Sequence, residues 1–181
     1  MTQTLRTATL ASLLVASHCY ADIDGSALPQ VRGIYQHSPT LVSAGLPSAA
    51  DFAQFQHAGV EVVINVIPPQ NDEPQPDVAA IRQAGLIYYN VPFDEAHPVD
   101  SMEQFRRVMA QQQGKSVLVH CAANIRASGM VYLKNAIDGH RNQVDLTPWE
   151  GKMTLYFTKW PVLKQFFDGT INHYGLAPIQ P

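Results

Sequence analysis

Apolar and polar positions along this chain fall into a repeating order: a short apolar run, a turn, a stretch with one apolar face, and another turn. Leu41-Val-Ser-Ala44 is the first run, stopped by Gly45-Leu-Pro47. Ser48-Ala-Ala-Asp51 then has capping-box spacing, and Phe52, Phe55 and Ala58 share one face of a helix that Gly59 ends. Val60 to Val66 is β-branched throughout much of its length and suits a central parallel strand. Four prolines make Ile67 to Pro76 a loop. Asp77 to Ala84 predicts a short helix closed by Gly85, and Leu86 to Val91 a strand that Pro92 breaks. Asp100-Ser-Met-Glu103 is a second capping signal, opening a helix to about Gln113. Ser116 to Val119 predicts a strand and Arg126 to Asp138 a helix, followed by a polar loop from Gly139 to Gly151. Leu155 to His173 predicts helix interrupted at Pro161, since proline lacks an N–H and restricts the residue before it. Residues 22–37, punctuated by glycine and proline, predict an irregular lead-in.

Strands alternating with helices imply an α/β fold, a mainly parallel central sheet with helices on both faces. A length of 181 residues favours one domain, here residues 38–181, large enough to bury a core. In open sheets of this kind ligands bind beyond the carboxyl ends of the strands. The charge of −3 offers no basic surface for nucleic acid.

The first residues differ in kind. Arg6 is followed by an apolar stretch from Ala8 to Ala16, and Cys19-Tyr-Ala21 supplies small residues at the positions a signal peptidase reads. Residues 1–21 are therefore expected to be a cleaved secretory signal, too short to span a bilayer, leaving no membrane span in the mature chain. Cleavage would remove Cys19, one of two cysteines, and leave Cys121 without a disulfide partner in its own chain.

Cys121 sits in Ser116-Val-Leu-Val-His-Cys-Ala-Ala-Asn-Ile-Arg-Ala-Ser128, where an apolar strand ends, a tight turn follows and a helix begins. The thiolate is the reactive form of cysteine, and a helix N-terminus favours it through unpaired N–H groups and partial positive charge. The same groups cradle an anion, and an arginine adds a planar two-toothed grip on phosphate. Cys121 is thus the candidate nucleophile. Arg126 is the candidate clamp, with Ala122, Ala123, Asn124 and Ile125 supplying the cradle between them. The plain alternatives are an ordinary buried cysteine and a surface arginine, the latter disfavoured at a helix start. Asn124 tolerates left-handed backbone angles, so a tight turn is feasible there. Seven histidines show no metal-binding spacing, and no Walker or dinucleotide glycine pattern occurs, so neither metal nor cofactor is implied. Trp149, Tyr156, Phe157 and Trp160 read as core and helix packing.

These residues resemble the cysteine-dependent protein tyrosine phosphatase superfamily, whose signature is His-Cys-x5-Arg-Ser/Thr. The Val-His-Cys-Ala-Ala-Asn-x-Arg-x-Ser string is similar to that of a bacterial branch, the beta-lactamase-hydrolase-like phosphatases, and the looser pattern runs from Ser38 to Tyr174. Only four residues separate Cys121 from Arg126, which turns the arginine by about 100° around a helix relative to the usual spacing. Ser128 keeps the superfamily's place seven after the cysteine. The resemblance implies hydrolysis of phosphomonoesters through a cysteinyl-phosphate, on a phosphorylated small molecule or phosphoprotein, phosphotyrosine included. It implies that His120 orients the loop and that Ser128 supports the thiolate. It also implies a general acid on an upstream loop. Asp94, 27 positions before Cys121 and just past a strand, is the first choice, with Glu95 and Asp100 as rivals. Asp100 has a competing use as a helix cap. The expected signal makes the destination secreted or periplasmic, the latter given the bacterial resemblance.

Two other functions stay open. Rhodanese-like sulfurtransferases are similar in placing arginine five after the cysteine in many members. A non-catalytic module could instead hold an oxyanion without turning it over. Oligomeric state has no signature in the sequence.

Overall fold

The computed structural model describes residues 22–69, 72–149 and 151–179. Five strands, β1 Tyr35–Ser38, β2 Leu41–Ala44, β3 Val62–Asn65, β4 Ile87–Asn90 and β5 Val117–His120, alternate with helices. The helices are α1 Ala49–His57, α2 Val78–Gln83, α3 Pro98–Gln111, α4 Ile125–Asp138, α5 Met153–Lys159 and α6 Pro161–Tyr174. Strand order is β1-β2-β5-β3-β4. All neighbours are parallel except β1, which runs antiparallel to β2. This is the mainly parallel α/β sheet that the pattern implies.

Burial explains why the strands read as unbroken apolar runs. Val62, Ile64, Val117 and Val119 join α3, α4 and α6 in a core on one face. Val42, Val63 and Leu118 join Phe52, Phe55 and Ile81 of α1 and α2 on the other. A sheet covered on both faces has no solvent side to alternate with. The capping box forms as read, with the Ser48 N–H donating to Asp51 Oδ2 at 2.7 Å. Gly59 follows α1 at φ 100°, a backbone angle that a side chain would strain.

Register sets the position of the site. Ala44 of β2 and Asn65 of β3 both stand opposite His120 of β5, so three strands end level at one edge. The chain leaves β5 at the middle of that edge, between β2 and β3.

Two expectations need correction. The lead-in is not irregular to its end, because Tyr35–Ser38 forms the antiparallel edge strand. Its residues are half-exposed and mixed, and backbone pairing to β2 makes the strand. Residues 22–34 are irregular yet anchored, with Ile23 and Val31 buried in the core against α1 and α2. The helix expected to start at Asp100 begins earlier, with His97 at the cap and Pro98 in the first position. Proline presets the helical φ and lacks the N–H that would be unpaired there, so Asp100 falls within the first turn. The expected signal, residues 1–21, lies outside the described residues. Among the described residues no helix is long and apolar enough to cross a membrane.

Candidate active site

The segment after β5 is held by its neighbours. The Cys121 N–H donates to the Ala44 carbonyl at 3.2 Å, and the Leu46 N–H to the Ala122 carbonyl at 3.4 Å. Gly45 lies so close that a Cβ there would meet the Arg32 carbonyl oxygen at 2.8 Å and that of Ala122 at 3.1 Å. Only glycine allows β2 to end against the loop. Asn124 adopts φ 66°, the left-handed angle that the sequence reading allowed it. Its Nδ2 donates to the Gly33 carbonyl at 2.5 Å, pinning the turn to the lead-in. From Asn124 the chain enters α4, whose first-turn N–H groups have no acceptor within the helix.

A cavity of about 430 Å³ opens over this loop. Cys121, Ala122, Ala123, Ile125 and Arg126 form one side, and Phe93, Trp160, Val162 and Leu163 form an apolar wall. Arg32, Glu73 and Glu95 complete it. Cys121 is 1 % exposed although it lines this cavity. The structure thus brings Cys121, Ala122, Ala123, Ile125 and Arg126 to one cavity, while Asn124 lines a separate one with Gly33 and Ser128.

Arg126 stands in the first turn of α4, where a cation is normally disfavoured. Glu73 offsets this: Nη1 donates to Oε1 at 2.9 Å and Nη2 to Oε2. Burial opposes the guanidinium's charge, but the Glu73 contact and the nearby Cys121 sulfur outweigh it and raise its pKa. A guanidinium carries five N–H donors along more than one edge. The Glu73 fork uses one proton of each Nη, and the Cys121 sulfur also interacts with the guanidinium. Glu73 was not anticipated, because nothing in a proline-rich loop marks one acid above another.

The acids separate. Asp94 does not share the Cys121 cavity as expected: it lines a neighbouring one of about 560 Å³ with Asp100, Ser101 and Gln104. Its carboxylate faces its own loop, taking hydrogen bonds from the Ala96 N–H at 3.0 Å and the His97 N–H at 3.3 Å, with His97 Nδ1 at 3.0 Å. The His97 side chain, then these amides, hold its pKa below the usual carboxylate value. Glu95 lines both cavities.

Ser128 also departs from expectation. Its hydroxyl donates to the Asn124 carbonyl at 2.5 Å and accepts from Trp149 Nε1 at 3.0 Å. A serine has one proton to give, so Ser128 braces the loop from behind rather than bonding the sulfur. His120 is fully buried with both ring nitrogens lacking a hydrogen-bond partner among the described residues, edge-on to Phe52. Burial drives its pKa down to about 3, with the Cys121 backbone opposing weakly. Trp149 packs in the core as read, against Tyr132, Tyr156, Phe157 and Phe167. Trp160 does not: it is 43 % exposed and lines the cavity. No group of three or more potential metal ligands occurs among the described residues.

No family model matches the chain. A "Beta-lactamase hydrolase-like protein" of Xylella fastidiosa (strain Temecula1) is 34% identical over 112 residues, covering 58% of this chain and 26% of that protein. The chain therefore spans about a quarter of that relative's length. A crystal structure of a "Putative phosphatase (DUF442)" from Shewanella putrefaciens CN-32 is similar over 80% of this chain and 92% of its own. The two share 35% identity with a TM-score of 0.66. TpbA of P. aeruginosa shares the fold at 19% identity and TM-score 0.51, over 78% of this chain and 88% of its own. The sheet, the strand-ending His120-Cys121 pair and this likeness agree: the chain belongs to the family of that "Putative phosphatase (DUF442)" and has a protein-tyrosine-phosphatase-like fold, and over its matched part it is similar to the beta-lactamase hydrolase-like protein.

Proposed function

We propose that the chain is an exported phosphatase that hydrolyses phosphomonoesters through a cysteinyl-phosphate intermediate. One observation carries the reading: Cys121 and Arg126 line one cavity, close enough for the sulfur to favour the guanidinium's charge. Thiol chemistry and a planar anion clamp in a single cavity suit a reaction centred on a tetrahedral oxyanion.

In this reading the Cys121 thiolate attacks phosphorus, the sulfur–phosphorus bond forms and the ester oxygen leaves with the bonding pair. Arg126, braced by Glu73, binds the equatorial oxygens and stabilises their charge in the transition state. Glu95 gives its proton to the leaving oxygen. Asp94 is ill-suited to that step, since groups holding a carboxylate ionised oppose its acting as an acid. Water then attacks the cysteinyl-phosphate, the phosphorus–sulfur bond breaks, and the Glu95 carboxylate takes the water's proton. Inorganic phosphate and the thiolate remain. Phosphotyrosine is a candidate substrate on the same argument, and residues 1–21 would direct the protein to the periplasm or beyond.

Release of p-nitrophenol from p-nitrophenyl phosphate, measured beside cyanide-dependent consumption of thiosulfate, tests the reading. Phosphate ester turnover that Cys121→Ser abolishes, with no thiosulfate turnover, supports it. Thiosulfate turnover alone selects the sulfurtransferase, and vanadate binding without either turnover selects the non-catalytic module. Export is tested by sequencing the exported protein's N-terminus, expected at Asp22.

A further inference from the structure

We propose that Trp160 is the specificity-determining residue of this cavity, selecting phosphoesters whose alcohol is an apolar ring over those of small polar alcohols. The inference rests on the phosphatase reading and adds to it the group that meets the substrate's organic half. The cavity's two sides differ in chemistry. Backbone, thiol and guanidinium belong to the segment after β5, whereas Phe93, Trp160, Val162 and Leu163 supply apolar lining from other elements. A volume of about 430 Å³ is that of a site for a small organic molecule, more than a lone oxyanion fills.

Within that wall Phe93 and Leu163 are already buried at 2 % exposure, Phe93 stacked on Phe166 with centroids 3.9 Å apart. Trp160 and Val162 keep 43 % and 46 % of their surface in solvent. Their apolar area is what a ligand in the cavity can still cover. Trp160 is also held in place. It precedes Pro161, which confines its backbone to extended angles, here φ −129° and ψ 80°. Its N–H donates to the Tyr156 carbonyl at 2.9 Å, and its ring leans on the Tyr156 ring at 5.9 Å. Tyr156 in turn meets Trp149 edge-on at 5.2 Å, and Trp149 bonds Ser128 behind the loop. A continuous path of rings therefore ties the Trp160 indole to the helix that carries Arg126. An aromatic surface fixed relative to the oxyanion clamp can stack on a ring esterified to that oxyanion.

Phenylphosphonate and methylphosphonate, unreactive analogues differing only in the organic group, test this in the full protein. Binding is followed by displacement of vanadate and by tryptophan emission, since of two tryptophans Trp149 is buried and Trp160 faces the cavity. Phenylphosphonate should bind about tenfold tighter than methylphosphonate. Trp160→Ala should bring that ratio close to one, chiefly by weakening phenylphosphonate, and Trp160→Phe should restore most of it. Equal affinities in the parent protein, or a ratio that Trp160→Ala leaves intact, overturn the proposal while leaving the phosphatase reading standing. Failure of vanadate and both phosphonates to bind overturns the two together.

Discussion

Lowering the pH from 7 to 5 should remove about 2 kcal/mol of folding stability through His120 alone. The ring is fully buried and its pKa in the fold is about 3, against an ordinary value of 6.5. The unfolded chain then binds the proton first as pH falls, so stability rises with pH between about 3 and 6.5 and is lost on acidification through that window. At about 1.4 kcal/mol per unit, a site protonated in the unfolded state and neutral in the fold contributes roughly 2 kcal/mol across those two units. His37, pushed to about 4 by burial, contributes a similar amount over the same interval. Depressed carboxylates such as Asp94 and Asp138 lose their contribution only further down. Urea midpoints of the parent and of His120→Met, taken from pH 7 to 5, measure the effect. Methionine has comparable bulk and no titrating group, so the variant should show about half the parent's decline. Identical slopes in the two proteins would mean that His120 is not held neutral under the loop, and the burial argument would fail.

Glu73→Ala should destabilise the fold by about 1–2 kcal/mol in denaturant melts, since it strips a partner from an arginine side chain only 18% exposed, partly relieved by water. Unchanged stability would remove Glu73 as the brace of Arg126. Glu95→Gln should slow hydrolysis of phenyl phosphate by about 10²-fold or more while leaving p-nitrophenyl phosphate, with its better leaving group, much less affected. Asp94→Asn should spare both, and the reverse pattern would return the acid role to Asp94. Gly45→Ala should cost about 1–3 kcal/mol and impair vanadate binding, because the new methyl would press on the Arg32 and Ala122 carbonyls. Parent-like melts and vanadate affinity would contradict that packing.

The fold was legible because its strands are covered on both faces, which leaves apolar runs at 62–64 and 117–119, each ending in a buried polar residue, between plain turn signals. Cys121, Arg126 and Asn124 were legible for a local reason: strand, turn and helix start are contiguous in sequence, so their juxtaposition needs no long-range contact. What escaped notice depends on distant segments. β1 exists only because β2 lies beside it. Glu73 reaches Arg126 across 53 positions, from a loop whose composition points to nothing. Asp94 and Glu95 are adjacent in sequence, yet only Glu95 lines the Cys121 cavity, while Asp94 is tied back to His97 by its own turn. Trp160 read as packing like Trp149, yet it stands at the cap of α6, just before Pro161, and lines the cavity.

Rapid acid quench of the protein during turnover of p-nitrophenyl phosphate, followed by mass analysis of its peptides, probes the sulfur–phosphorus bond itself. A single phosphoryl adduct on Cys121, rising and decaying with turnover and missing from Cys121→Ser, is the expected result. Ester consumed while the thiol stays unmodified, or at full rate by Cys121→Ser, would contradict the mechanism.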